Sequence, residues 1–258
     1  MRIKWYGTAT LLIESGDSRL LIDPYLKKFA KSAPPIPMDE ARSANAIFIT
    51  HPHLDHFSDI DAFTAGGGRP VYVSRNGIEH AMKNGLNTDC MVAVSTSELY
   101  KVGAFTVTTY QSRHCVYDAA TILRIVFSPR SWFHLKDLNE LLKGKKNFPI
   151  ENDIYALEIS DGEKTVMIFG SAGMDENIAY PQAADLLVFP YQGRADIHRS
   201  MDSFLSAMQP KKIMIDHFDD AFPPFTHRVN LKKFIPTVKK RLPNAEALIP
   251  VENEWYTV

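Results

Sequence analysis

The chain has 258 residues with 45% hydrophobic content, enough to bury a large core as a single domain spanning 1–258. Its 29 basic and 30 acidic side chains leave a formal charge of -1 without a long like-charge block, so a nucleic-acid partner is not expected. No apolar run approaches the roughly 20 residues of a membrane span, the opening Met1-Arg2-Ile3-Lys4-Trp5-Tyr6-Gly7 has no secretion-signal pattern, and two cysteines, Cys90 and Cys115, are too few for a disulfide framework. A soluble cytoplasmic protein with free thiols is the expectation.

The first elements pair Thr10-Leu11-Leu12-Ile13-Glu14 with Arg19-Leu20-Leu21-Ile22-Asp23 across Ser15-Gly16-Asp17-Ser18, the pattern of a β-hairpin with a glycine-containing turn. Strand-like runs follow at 46–49, 71–73, 91–94, 105–109, 121–126 and 154–159, then at 165–169, 186–189, 213–215 and 247–249. The stretch 127–153 interrupts this series with Trp132, Phe133, Leu135, Leu138, Leu141 and Leu142 ahead of Lys143-Gly144-Lys145-Lys146, and predicts an inserted helix and loop. Such an insertion could cap a pocket, make a subunit contact or simply pack on the core. Met201, Phe204, Leu205 and Met208 recur at helical spacing, as do Leu231, Phe234, Ile235, Val238 and Leu242. Strands crowded in each half, with helices after them, imply two packed sheets covered by helices, a layered α/β arrangement.

Chemistry concentrates where Ala46-Ile47-Phe48-Ile49-Thr50 delivers His51-Pro52-His53-Leu54-Asp55-His56 onto a loop. Imidazole nitrogen and carboxylate oxygen are the donors that borderline divalent metals prefer, and both are deprotonated at neutral pH without special tuning. In a short turn His51 and His53 can address one ion while Asp55 and His56 address an adjacent position. With nine histidines in the whole chain, three within six residues is a cluster rather than a composition effect.

His51-x-His53-x-Asp55-His56 after a hydrophobic strand resembles the signature of the metallo-β-lactamase superfamily. The resemblance implies a four-layer αββα sandwich of two mixed β-sheets flanked by helices. Ile22-Asp23-Pro24 is similar to the family's early aspartate, which steadies the ligand loop. His114, after the strand at 105–109, and His217, in Lys212-Ile213-Met214-Ile215-Asp216-His217, match the family's later metal ligands, completing a set of His51, His53, Asp55, His56, His114 and His217. One position departs from the pattern: Ser171 of Phe169-Gly170-Ser171 stands where the family's Gly-Asp-Thr carries a carboxylate bridging both metals. A neutral hydroxyl is a poor bridge between dications, which leaves either one ion or a replacement bridge from Asp219, Asp220 or Asp175.

The resemblance covers nearly the whole chain and is specific for fold but not for substrate. Within the superfamily the chain looks most like the branch of ascorbate-6-phosphate lactonase and phospholipase D-type hydrolases. It implies a hydrolase in which one or two divalent ions, zinc first with manganese or iron as alternates, activate water against an ester, lactone or phosphodiester of a small molecule. Asp55 is the expected general base; His198 and His227 are candidates for proton donation or substrate binding, and Arg113 and Arg194 for clamping an anionic group. A non-catalytic metal-binding or sensor protein on the same fold, and an RNA-processing nuclease, are the alternative readings. A homo-oligomer stays open.

Overall fold

Alternate residues of the opening strands belong to different cores. Leu11, Ile13, Leu20, Ile22 and Phe48 join one buried cluster, while Leu12, Leu21, Ile47 and Ile49 join another, as the two-residue period of a strand requires when both faces of a sheet are covered. The computed structural model describes residues 1–30, 33–116, 134–149 and 153–258. Its strands are β1 (Arg2–Gly7), β2 (Thr10–Ser15), β3 (Ser18–Ile22), β4 (Ala46–Phe48), β5 (Val71–Ser74), β6 (Met91–Val94) and β7 (Leu99–Val102). They continue as β8 (Phe105–Ser112), β9 (Ile154–Ser160), β10 (Thr165–Phe169), β11 (Leu186–Pro190), β12 (Lys212–Asp216), β13 (Glu246–Leu248) and β14 (Trp255–Thr257).

Two sheets result, in the orders β14-β1-β2-β3-β4-β5-β6 and β13-β12-β11-β10-β9-β8-β7. Each is mixed: β3 to β6 run parallel and β1 to β3 antiparallel in the first, β10 to β13 parallel and β7 to β10 antiparallel in the second. The larger core lies between the sheets, where Trp5, Leu11 and Phe48 of the first meet Val107, Leu157 and Met167 of the second.

The helices are α1 (Met38–Ala41), α2 (Leu54–Phe57), α3 (Ile60–Thr64), α4 (Arg75–Lys83), α5 (Leu135–Asn147), α6 (Ile197–Met208) and α7 (Phe234–Arg241). Phe57, Ile60, Phe63 and Ala81 of α2 to α4 cover the outer face of the first sheet. Met201, Phe204 and Leu205 of α6 and Phe234 and Val238 of α7 join the core of the second. The architecture is the expected αββα sandwich. Among the described residues, no helix is long and apolar enough to cross a membrane, and both cysteines are free thiols.

The hairpin, the strand series and α6 follow the sequence expectations, with three kinds of difference. β1, β7 and β14 were not among the expected strands, because they are short or interrupted by polar residues; β14 gains its place by pairing with β1. The ligand run does not lie wholly on a loop: Leu54–Phe57 closes one helical turn, with His56 and Phe57 N–H both donating to the His53 carbonyl. Ile235, expected on the buried stripe of α7, is 44% exposed. The expected strand at 121–126 lies outside the described residues. So does most of 127–134, but its helix is present as α5, where Leu141 packs with Tyr25, Phe222 and Phe225. A Cβ at Gly144 would come within 2.7 Å of Leu54 Cδ1, so α5 lies directly on the turn that carries Asp55 and His56.

The first sheet is tied to its helical layer by a buried charge. Lys4 Nζ on β1 donates to Glu40 Oε1 and Oε2 of α1 at 2.8 and 2.9 Å, and Tyr6 Oη donates to Oε2 at 2.7 Å. Burial works against the Glu40 carboxylate, but these donors outweigh it and hold the carboxyl below its usual range. Glu40→Ala strands Lys4, whose side chain is 9% exposed, and should cost on the order of 2–3 kcal/mol in urea unfolding, short of the roughly 3–5 kcal/mol of a fully buried pair. In the wild type this contribution is present above the ordinary glutamate pKa of 4.5 and is lost as pH falls below it, because the folded-state pKa is the lower one.

Candidate metal centre

The site is built outward from Asp23, which is 1% exposed at the end of β3. Its backbone is in the left-handed region (φ 45°), held there as its N–H donates to the Phe48 carbonyl (3.1 Å) and its carbonyl accepts from Thr10 Oγ1 (2.9 Å). Asp23 Oδ1 accepts from Thr50 N–H at 2.7 Å, and Oδ2 accepts from Thr50 Oγ1 at 2.5 Å and from His56 Nδ1 at 2.8 Å. Thr50 has a single hydroxyl proton. Having given it to Asp23, Thr50 Oγ1 can only accept from His51 Nδ1, 3.0 Å away. Asp23 thus fixes the tautomers of two histidines at once, leaving Nε2 of each with a free lone pair. His114 is fixed separately, its Nδ1 donating to the Cys115 carbonyl at 2.8 Å.

These constraints gather two donor groups. His51, His53 and His114 form one and Asp55, His56 and His217 the other, with ligand atoms in each lying within 4.8 Å of one another. The groups adjoin: the ring centroids of His51 and His56 are 4.0 Å apart, those of His51 and His53 4.3 Å, and those of His56 and His217 5.2 Å. His51 Nε2 faces His53 Nδ1 at 3.0 Å, and His56 Nε2 faces His217 Nε2 at 3.2 Å. Asp55 Oδ2 is 3.4 Å from His217 Nε2.

Burial, reinforced by the neighbouring imidazoles, pushes the pKa of His51 well below its ordinary value, and burial takes that of His53 down to about 3 against the opposing pull of Asp55. His114 is lowered by burial as well. Burial would raise Asp55, but His56 and His217 outweigh it and hold its carboxyl well below the carboxylate range. Bare imidazole nitrogens converging in a buried space repel one another unless a cation lies between them. The donor set, rich in nitrogen with one carboxylate, fits a divalent metal of the zinc type.

The β1–β2 turn carries the His217 loop. His217, itself at φ 58°, donates its N–H to the Thr8 carbonyl at 2.8 Å, Trp5 Nε1 donates to the same carbonyl at 2.9 Å, and Phe218 stacks on Trp5 at 4.7 Å. Here lie two of the expected replacement bridges, and Asp219 keeps its buried Oδ1 without a hydrogen-bond partner among the described residues. Asp219 Oδ2 accepts from Thr8 N–H (2.9 Å), and Asp220 Oδ1 accepts from Thr226 Oγ1 (2.5 Å). Asp175 Oδ1 accepts from Arg113 Nη2 and from the backbone and side-chain N–H groups of Asn177. None of the three belongs to either donor group.

Ser171 Oγ accepts from Cys115 N–H at 2.9 Å, so the hydroxyl at the bridging position braces the loop of His114. The preceding Gly170 leaves room for Thr50: a Cβ there would fall 2.0 Å from Thr50 Oγ1 and 3.0 Å from His51 Nδ1. His198, on α6, sits in the field of Lys233, Arg199 and Asp196, and His227 is exposed; neither belongs to a donor group. Arg194 is paired with Asp196 and donates to the Val116 carbonyl.

Three residues of the site carried no signal that the sequence reading used. In the sequence Thr50 is only the residue that ends the apolar run 46–49. Tyr25, 1% exposed, has a hydroxyl without a hydrogen-bond partner among the described residues; burial first, then the charges of Asp55, Asp59 and Asp219, push its phenol well up. Gln192, in the loop after β11, places Nε2 3.2 Å from His217 Nε2. Tyr25 follows Asp23-Pro24 directly and could have been noticed by proximity; Gln192 is marked by no motif.

Comparison with known proteins agrees with this geometry. The family described as Beta-lactamase superfamily domain matches residues 18–215, and the chain belongs to it, as a member with the metallo-β-lactamase fold. Within the superfamily it is similar to a UPF0173 metal-dependent hydrolase of Pyrobaculum arsenaticum, 35% identical over 71 residues; that stretch is 28% of this chain and only 31% of the relative's length. Among solved structures, the metallo-beta-lactamase fold protein YhfI of Bacillus subtilis superposes with a TM-score of 0.66 at 19% identity, covering 99% of this chain and 98% of that one. A metallo hydrolase of the hyperthermophilic archaeon Ignicoccus hospitalis superposes with a TM-score of 0.64 at 13% identity, covering 100% and 98%. At these identities the structural matches speak for the fold alone.

Two measurements test the centre's construction. Asp23→Asn cannot accept from both Thr50 and His56 in the same way, and should weaken metal binding by about 10–100-fold in chelator competition, the usual cost of losing such a partner; a change within twofold would show that Asp23 does not orient the ligands. Because burial lowers His51, His53 and His114, protons should compete less for the first group between pH 8 and 6 than for free imidazoles. Affinity for the first ion should fall there by clearly less than the roughly 50-fold that three unperturbed histidines would lose.

Proposed function

We propose that the chain is a metal-dependent hydrolase that directs water at an ester, lactone or phosphodiester bond of a small molecule. The observation that carries the reading is the pair of adjoining donor groups, three neutral imidazoles beside two imidazoles and the ionised carboxylate of Asp55. His51, His53 and His114 would hold the first ion, with Asp55, His56 and His217 beside it for a second. Zinc suits this set best, with manganese or iron as alternates. When bound, such an ion supplies Lewis acidity and brings the pKa of water to about 7.

The chain's own residues manage protons and position. Asp55, held ionised by His56 and His217, takes the proton of the attacking water. Tyr25, kept neutral by burial and by the surrounding carboxylates, can act only as a hydrogen-bond donor, and its unpartnered hydroxyl is available to a substrate oxygen. Helix α5, packed on Leu54 and Tyr25, shields that side of the site from water. The likeness to the lactonase and phospholipase D-type branch favours a lactone or phosphodiester within the range, and two free cysteines suit a cytoplasmic setting.

A non-catalytic metal-binding role is the second reading, favoured by Ser171, whose neutral hydroxyl is committed to Cys115 N–H. Hydrolysis of a panel of esters, lactones and phosphodiesters separates the two. Turnover should depend on added metal. In His53→Ala it should fall by more than the roughly 10–100-fold that loss of an outer partner costs, and in Asp55→Asn by about 10²–10⁴ in kcat. Metal binding without turnover on any substrate of the panel would favour the sensor instead.

A further inference from the structure

The second donor group, as proposed above, lacks an oxygen where Ser171 replaces a carboxylate, and the contact between Gln192 and His217 indicates what fills the gap. Gln192 follows β11 in a loop pinned beside β12, since Tyr191 N–H donates to the Asp216 carbonyl at 2.9 Å. Gly193, at φ 92°, then turns the chain away. The Gln192 amide nitrogen lies 3.2 Å from His217 Nε2, an atom that also faces His56 Nε2 at 3.2 Å and Asp55 Oδ2 at 3.4 Å.

In one of the two neutral tautomers of His217 that contact sets donor against donor. His56 gives its Nδ1 proton to Asp23 and therefore presents a lone pair at Nε2. In the tautomer in which His217 Nε2 carries the proton that faces this lone pair and the Asp55 carboxylate, that nitrogen has no lone pair for the Gln192 N–H. The oxygen and nitrogen of a glutamine amide are alike in size, and their assignment rests on the surrounding hydrogen bonds. Exchanging them turns the clash into an accepted hydrogen bond and aims Oε1 at the point where His56, His217 and Asp55 converge. Of the other oxygens nearby, Ser171 Oγ accepts from Cys115 N–H and Asp220 Oδ1 from Thr226 Oγ1, while Asp219 binds Thr8 N–H through Oδ2 and keeps Oδ1 without a partner among the described residues, which makes it the rival donor.

We propose that the side-chain carbonyl oxygen of Gln192, rather than a carboxylate, is the donor that completes the Asp55–His56–His217 group for a second divalent cation. With no other side-chain hydrogen bond of Gln192 to re-form among the described residues, the amide accepts from His217 in the metal-free chain and would turn the same oxygen to the ion in the loaded one. A neutral oxygen adds no negative charge, so Asp55 is the only anion in the two groups. The second ion is therefore held more weakly than the first, and carbonyl ligation tilts its preference towards manganese relative to zinc.

The inference rests on the metal-centre reading, and stepwise metal titration separates the two. The metal-free full chain is titrated with Zn²⁺ and, separately, with Mn²⁺ by calorimetry and chelator competition, as wild type, Q192M, Q192E and D219N. The first binding step should be the same in all four, which also shows that the variants are folded. The second step should weaken by about tenfold or more in Q192M, strengthen in Q192E and stay within about threefold in D219N. Loss of the first step in the wild type would overturn the metal-centre reading itself. A second step unchanged in Q192M, a second step lost in D219N instead, or no second step in either the wild type or Q192E would overturn the role of Gln192 alone.

Discussion

The centre depends on one buried carboxylate. Asp23 accepts the Thr50 N–H, the Thr50 hydroxyl and the His56 Nδ1–H, and through Thr50 it reaches His51. An anion that is 1% exposed is tolerable only because it is surrounded by donors, and those donors are the groups whose orientation the centre requires. Stability and site geometry are therefore one constraint here: the interactions that make Asp23 acceptable in the core also choose the histidine tautomers. Gly170 belongs to the same constraint, since any Cβ there would displace the Thr50 hydroxyl.

The fold brings the parts together because parallel strands end at a common edge. Asp23 leaves β3, the His51 run leaves β4, Gly170 and Ser171 leave β10, Gln192 leaves β11 and His217 leaves β12, each at its carboxyl end. Crevices at that end of α/β sheets are where ligands bind in open-sheet folds generally. The facing sheets put two such edges side by side, and the β1–β2 turn at Thr8 clasps the His217 loop to the first sheet. The result is a site rich in imidazole and poor in charge. Three imidazoles make up one donor group, and the adjoining group has Asp55 as its one carboxylate beside two imidazoles.

Much of this was legible in the sequence. The strands declared themselves through apolar runs that bury both faces, and the ligand run stood out because three histidines and an aspartate directly follow one of them. His114 and His217 were recognisable only by order and by strand-end position, since each alone is an ordinary histidine. What escaped had physical reasons. A single helical turn such as Leu54–Phe57 is too short to show a period, and β14 is defined by its partner β1 rather than by its own residues. Asp219 and Asp220 adjoin His217, and a loop geometry that no local pattern announces ties Asp219 Oδ2 to Thr8 N–H and Asp220 Oδ1 to Thr226 Oγ1, while Asp219 Oδ1 has no partner among the described residues. Gln192 is 25 positions from His217; only the adjacency of β11 and β12 makes them neighbours.

The claim that these histidines and Asp55 converge on a metal is tested most directly by X-ray absorption at the zinc edge on protein purified without chelator and loaded with one equivalent. The account predicts a first shell of nitrogen and oxygen only, with the outer-shell scattering of two to three imidazoles. A shell containing sulfur from the nearby buried Cys115, or one lacking imidazole scattering, would contradict it.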